Sequence, residues 1–183
     1  MEVTDRFPLL SRSQDDPHRL AKGFVRWWGT TREGIKKLCH WRAEYWRWNG
    51  TAYAVVDQDE IRGLLTQFIK AEFDRVAALK LEEWKSGKPK GDPPSPMKVK
   101  RSIVFDTQNA LQSMTGLPAG TVQPSWLCDP WNNANELVPT LSGLLHLPSV
   151  ADGSDYPLLP PTPEFFNGTA VSCRFDQAAS CPR

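Results

Sequence analysis

The sequence has no apolar run long enough for a membrane span; no window reaches the roughly 18 uncharged apolar residues a span requires. Its start, Met1-Glu2-Val3-Thr4-Asp5, is acidic and lacks the apolar stretch of a secretory leader. Cysteine is scarce, with four in 183 residues, far below a disulfide scaffold. These absences point to a cytoplasmic protein with no membrane partner. Neither G-x-x-x-x-G-K-[ST] nor G-x-G-x-x-G occurs, so no nucleotide hydrolysis is assigned to these residues and no cofactor is expected in this chain. There are no internal repeats.

Two further scarcities are regional. Only 2 of the 16 prolines precede residue 85, and only two basic residues, Arg174 and Arg183, follow residue 101. The overall net charge of +1 therefore hides a basic middle. Lys85, Lys88, Lys90, Lys98, Lys100 and Arg101 stand there against Asp92 alone. Because each proline fixes φ and removes a donor, the first half reads as compact and regular and the second as loop-rich. The expected organisation is residues 1–84 with a helix, an aromatic hairpin and a long helix. A basic Pro/Gly linker follows at 85–96, then 97–183 with a helix and short strands.

Local signals fill in these regions. Asp15-Asp16-Pro17 marks a helix start, with Leu20, Phe24 and Trp28 on one face and Gly29 at the stop. Asn49-Gly50 between Glu44–Trp48 and Thr51–Val56 predicts a two-residue hairpin turn, with Trp46 and Trp48 on one face and Tyr53 opposite. Asp57 as N-cap with Glu60 opens a long helix striped by Ile61, Leu64, Leu65, Phe68, Phe73 and Val76. Another helix is predicted from about Met97 to Met114, ended by Gly116-Leu117-Pro118. Ser142-Gly143 predicts a second hairpin turn, Thr162–Phe166 a helical turn, and Ala170–Phe175 a strand. The fold class is α+β: a helical body with small antiparallel β-hairpins and a loop-rich C-terminal half.

Several constellations invite chemistry. Asp57-x-Asp59 has the form of a carboxylate pair for Mg²⁺, as in primase-type nucleotidyl transfer, but helix capping accounts for both residues. Cys39-His40, Cys128, His146, Cys173 and Cys181 lack the knuckle spacing of structural zinc. Asn49-Gly50-Thr51 and Asn167-Gly168-Thr169 match the glycosylation pattern but read as turns without a leader. The basic residues at 85–101 suit either phosphate contacts or a solvated linker. Trp46 and Trp48 suit either base stacking or half-buried hairpin packing.

Four blocks resemble the amino-terminal accessory domain of phage, plasmid and poxvirus primase-helicases, which precedes a superfamily 3 helicase motor. The first is Leu38-Cys39-His40-Trp41 with Tyr45-Trp46-Arg47-Trp48-Asn49-Gly50-Thr51-Ala52-Tyr53, similar to the family's W-x-W-[DN]-G-x-x-aromatic hairpin, and Glu60-Ile61-Arg62 begins the following helix. The others are Ser142–Leu147, Leu159–Phe166, and Phe175-Asp176 through Cys181-Pro182. Ser142 stands where the family often has Asn, and residues 118–136 match poorly. The resemblance implies a noncatalytic module for DNA replication, assisting helicase assembly or DNA loading. Its partners would be DNA, the helicase motor domain and sister subunits of a hexamer. ATP and Mg²⁺ would belong to the motor, which would follow Arg183, making this chain a fragment of the longer protein.

Overall fold

Asp16 starts the first helix by satisfying its free amides. Its carboxylate accepts from the backbone N–H of His18 at 2.9 Å and of Arg19 at 3.4 Å, and Pro17 fills the first helical position, where a missing N–H costs nothing. The helix, α1 (Pro17–Trp28), buries Leu20, Ala21, Phe24 and Val25. The structure is a computed structural model and describes residues 13–87, 91–128, 133–153 and 157–176. These residues divide into two compact units that interleave along the chain. One takes the chain up to Trp27 together with Gln58–Thr115; the other takes Trp28–Asp57 and the chain from Gly116 onward. The units thus cut across the expected divisions at 84 and 97.

The first unit is helical. Asp57 directly precedes α2 (Gln58–Ser86), which buries Ile61, Leu65, Ile69, Phe73, Val76 and Ala77 at three- and four-residue spacing. Phe68 meets α1 edge-on, its ring centroid 5.8 Å from that of Phe24, and stacks on exposed Trp27 at 5.7 Å. An ion network ties the same helices: Glu72 accepts from Arg19 at 2.8 Å and from Arg75 at 2.8 and 2.9 Å. Helix α3 (Arg101–Thr115) packs on α2. It begins four residues later than the predicted Met97, after a run of irregular chain over 97–100. Its buried face includes Thr107 and Thr115, whose hydroxyls donate to the carbonyls of Ile103 and Leu111, so no polar group is stranded.

The second unit is built from three small antiparallel sheets. Strands β1 (Leu38–Trp41), β2 (Glu44–Trp48) and β3 (Tyr53–Val56) form a meander. Strand β4 (Ser125–Trp126) pairs with β8 (Phe165–Phe166). Strands β5 (Leu137–Thr140), β6 (Gly143–His146) and β7 (Leu158–Leu159) form the third sheet. A short helix, α4 (Leu147–Ala151), follows β6. Four helices and these sheets among the described residues make an α+β fold. Successive strand residues point to opposite sides, and β8 uses this fully. Phe166 packs with Cys39, Trp41 and Tyr53, while Phe165 packs with Leu137 and Leu144. One dipeptide therefore anchors two clusters.

Several local expectations are corrected. Thr162–Phe166 is a turn running into β8, because burial of both phenylalanines on opposite sides needs an extended chain. The span 170–175 makes a single parallel bridge, Val171 with Thr140, instead of a strand. The second hairpin turns at Leu141-Ser142, with Thr140 paired to Gly143. Gly143, at φ +145°, belongs to β6, where a Cβ would lie 2.2 Å from the Leu159 carbonyl oxygen. Asn49-Gly50 lies in a longer loop closed by the Trp48–Tyr53 pair. The Asn49 side chain accepts from the N–H of Thr51 and Ala52, and only Gly50 has positive φ. The tight turn with two positive-φ residues instead falls at Arg42-Ala43, φ 51° and 65°, between the paired Trp41 and Glu44.

Candidate nucleic-acid interface

The basic segment belongs to the helical unit. Lys85 is exposed in the last turn of α2; Lys98 and Lys100 are exposed on the irregular run before α3; Arg101 is its exposed first residue. Lys88 and Lys90 lie outside the described residues. Lys98, Lys100 and Arg101 are thus held within four consecutive positions, and Lys85 stands apart from them at the end of another helix. None of the four is in an ion pair among the described residues. Their field reaches a neighbour: the Ser13 hydroxyl and, as a lesser cause, the Lys100 charge hold the Asp15 carboxyl below the usual carboxylate range. An open groove of about 340 Å³ lies in the same unit, lined by Pro17, His18, Asp106, Asn109, Ala110 and Ser113. With Asp106 and no lysine or arginine on its walls, it does not suit a phosphate.

Trp46 and Trp48 belong to the other unit. Both are half-buried and pack on the cluster of Cys39, Trp41, Tyr53 and Phe166. Trp46 meets Trp41 and Phe166 edge-on, at 5.8 and 5.9 Å between centroids. Gly168 sits under Trp46, where a Cβ would come within 3.0 Å of the indole. Tyr53 seals this layer: its hydroxyl donates to the Pro163 carbonyl at 2.6 Å and its backbone N–H to Asn167 at 2.8 Å. Burial, then the neighbouring Cys39, pushes the Tyr53 phenol up, and burial alone pushes the Cys39 thiol up to about 12. Neither group ionises near neutral pH, so the cluster acts as packing and not as a nucleophile. The indole Nε1 atoms of Trp41, Trp46 and Trp48 are out of solvent and lack hydrogen-bond partners.

Asp59 pairs with Arg62 at 2.7 Å on the exposed helix surface, and Asp57 sits at the N-cap position. Among the described residues no three His, Cys, Asp or Glu side chains are grouped as a metal would need. Cys39 is buried while Cys128 and Cys173 are exposed; Cys181 lies outside the described residues. Burial lowers the pKa of His40, whose ring packs on Tyr45 at 4.9 Å. His146 is held between Ser149, 2.7 Å from Nδ1, and Glu136, 3.5 Å from Nε2. Asn167 is buried and donates to the Thr169 carbonyl, so its amide serves the fold.

Two cationic contacts in this unit escaped the sequence reading. The Arg42 guanidinium lies 4.3 Å from the Trp41 ring centroid, and that of Arg47 lies 4.3 Å from the Trp28 centroid. The alternation of basic and aromatic residues in Trp41-Arg42 and Trp46-Arg47-Trp48 was the available signal. Among the described residues no helix is long and apolar enough to cross a membrane. Comparison of the chain with protein-family models, curated proteins and solved structures found no match.

Proposed function

We propose that this chain is a noncatalytic N-terminal module of a phage- or plasmid-type primase-helicase, acting in the cytoplasm and assisting DNA replication through helicase assembly or DNA loading. One observation carries the reading. Three of the sequence blocks that resemble the family, Leu38–Tyr53, Ser142–Leu147 and Leu159–Phe166, are far apart in the chain yet fall in one unit. The first block forms β1 and β2 and reaches the first residue of β3, the second contains β6, and the third runs from Leu159 of β7 to β8. Tyr53 of the first block is tied to Pro163 of the third by a hydrogen bond, and Phe166 of the third packs on Trp41 and Trp46 of the first. The first and third blocks thus share one aromatic layer, and Leu144 of the second packs with Phe165 of the third. Within this reading the module contributes surface and the helicase motor contributes ATP, Mg²⁺ and translocation.

The unpaired cations of the helical unit support DNA as the ligand. The test is a fluorescence-anisotropy titration of labelled single-stranded and forked DNA against the full chain at several salt concentrations. Binding whose logarithm falls linearly with the logarithm of salt supports the reading, because each phosphate neutralised by a cation releases condensed counterions. Replacing Lys85, Lys98, Lys100 and Arg101 with Gln should lower that slope by about one for each phosphate no longer neutralised. Binding confined to one DNA sequence, or Mg²⁺-dependent nucleotide incorporation abolished by changing Asp57 and Asp59, would replace this reading. The first outcome favours a stand-alone nucleic-acid-binding protein, the second a primase-type nucleotidyltransferase.

A further inference from the structure

We infer that Trp27, with Lys22 and Arg26 on the same helix, forms a stacking platform for a base of single-stranded DNA on the helical unit. Trp27 stands near the end of α1 and keeps 56% of its surface exposed, yet its ring is held in place. Phe68 of α2 lies against one face, at 25° to it with ring centroids 5.7 Å apart. Phe24 meets the indole at 60° and 5.8 Å, and Phe24 and Phe68 meet each other at 78° and 5.8 Å. The three rings close a triangle that fixes the plane of the indole, and fully buried Phe24 anchors that triangle in the core. Gly23 makes the arrangement possible, because a Cβ there would fall 2.9 Å from Cζ of Phe68. Glycine in a helix interior is unfavourable, and here its missing side chain admits the ring that backs Trp27. With one face covered, an exposure above one half requires the other face to be open.

A ring fixed in plane with one open face is what base stacking uses. Every base has a π-face, and an aromatic ring that is already oriented spares the cost of ordering it on binding. The charge around the ring selects nucleic acid over an apolar protein surface. Helix α1 contains Arg19, Lys22 and Arg26 and no Asp or Glu. Arg19 turns to α2, where it pairs with Glu72. Lys22 and Arg26 are exposed, and with exposed His18 they stand at four-residue spacing, one row along the helix that ends beside Trp27. The acids that follow Phe68 on α2 are matched: Glu72 is shared by Arg19 and Arg75, and Asp74 pairs with Lys70. A cationic row ending at an open aromatic face suits a backbone phosphate and the base it carries. The platform rests on this geometry, and only the choice of DNA as the strand rests on the proposed function.

The experiment compares the full chain with Trp27→Phe, Trp27→Leu and Lys22→Gln/Arg26→Gln, each checked for an unchanged thermal melt. Phe keeps a π-face, whereas Leu keeps apolar bulk without one. The probes are a labelled oligothymidylate and an abasic strand of the same length, followed by anisotropy at several salt concentrations. Trp27→Leu should weaken oligothymidylate binding about tenfold, within the range for losing one stacked base, and leave the abasic strand and the salt slope unchanged. Trp27→Phe should retain most of the affinity. Lys22→Gln/Arg26→Gln should weaken both strands and lower the salt slope by about one to two. A second measurement holds even if Trp27→Leu fails to fold. The fluorescence lost on replacing Trp27 with Phe is the signal of Trp27; oligothymidylate should quench it and the abasic strand should not. Wild-type affinity in Trp27→Leu, equal weakening of both strands by that variant, or an unquenched Trp27 signal overturns the platform; DNA is then still bound and the proposed function survives. Binding of neither strand by the wild type overturns both the platform and DNA binding by this chain. Self-association of the wild type in sedimentation that Trp27→Leu abolishes, with DNA affinity unchanged, also overturns the platform and makes this face a contact between copies.

Discussion

The helical unit and the β-rich unit solve the same packing problem in opposite ways. In the first, burial is spread along periodic faces, so Ile61, Leu65, Ile69 and Phe73 each cover one turn of α2 and no single side chain closes the core. In the second, strands of two to five residues bury little each. A few aromatic side chains and one glycine join segments far apart in the chain. The first unit should therefore tolerate single changes that the second cannot.

The largest effect is expected at β8. Phe166 is fully buried and touches Trp41, Trp46 and Tyr53 with ring centroids at 5.3, 5.9 and 5.0 Å. Phe166→Ala should cost about 3–5 kcal/mol, the range for deleting a buried aromatic ring. Gly143→Ala should cost a similar amount for a different reason: the new methyl would overlap the Leu159 carbonyl, which is backbone and cannot swing aside. Urea titration followed by Trp fluorescence measures both. A loss below about 1 kcal/mol in each would mean that the β-rich unit does not depend on these anchors.

A smaller effect is expected in the helical unit, where Glu72 is the most connected side chain. Burial raises its pKa, but the hydrogen bonds and charges of Arg75 and Arg19 outweigh that and hold it below the usual carboxylate range. Glu72→Gln should cost about 2 kcal/mol, as for a hydrogen-bonded charged group. The pH dependence has a fixed sign. Because the folded-state pKa is depressed, the contribution is complete above the unfolded value of about 4.3 and is lost as pH falls through the lower folded value. The difference between wild type and Glu72→Gln in urea midpoint should therefore narrow on acidification below about pH 4.5. A difference that widened on acidification would assign the network's stability to other groups.

Next in size is the cap of α1. Asp16→Ala should cost about 1 kcal/mol by freeing the N–H groups of His18 and Arg19; an unchanged urea midpoint would mean that Pro17 alone sets the helix start. This residue also shows why the helical unit was legible in the sequence. The cap, the proline after it and the apolar spacing lie within one stretch of chain, and the structure reproduces them. The later start of α3 was harder, because no capping residue in the sequence marks it. In the β-rich unit the aromatic hairpin was legible as a hairpin, and Trp46 and Trp48 as one face. Their chief partner, Phe166, could not be read, since it reaches them only through the β4–β8 pairing.

The smallest expected effect has the opposite sign and tests the least legible feature, the turn between β1 and β2. Nothing in the residue types of Arg42-Ala43 marks a left-handed conformation, whereas Asn49-Gly50 carries the usual signal and forms a looser loop. The pairing of Trp41 with Glu44 and of His40 with Tyr45 leaves only two residues to connect the strands, so Arg42 and Ala43 adopt φ 51° and 65°. A non-glycine residue held there costs on the order of 1–2 kcal/mol. Ala43 is exposed, and Asn accepts the same conformation at lower cost without the backbone freedom that Gly adds to the unfolded chain. Ala43→Asn should therefore stabilise the protein by about 0.5–1 kcal/mol, with Ala43→Gly giving less. Gly50→Ala is the matching control and should destabilise, because Gly50 stands at φ +116°. Urea midpoints of the three variants decide the matter. Equal destabilisation at both positions would mean that Ala43 is not strained, and that the tight turn is set by residue preference instead of by the strands it joins.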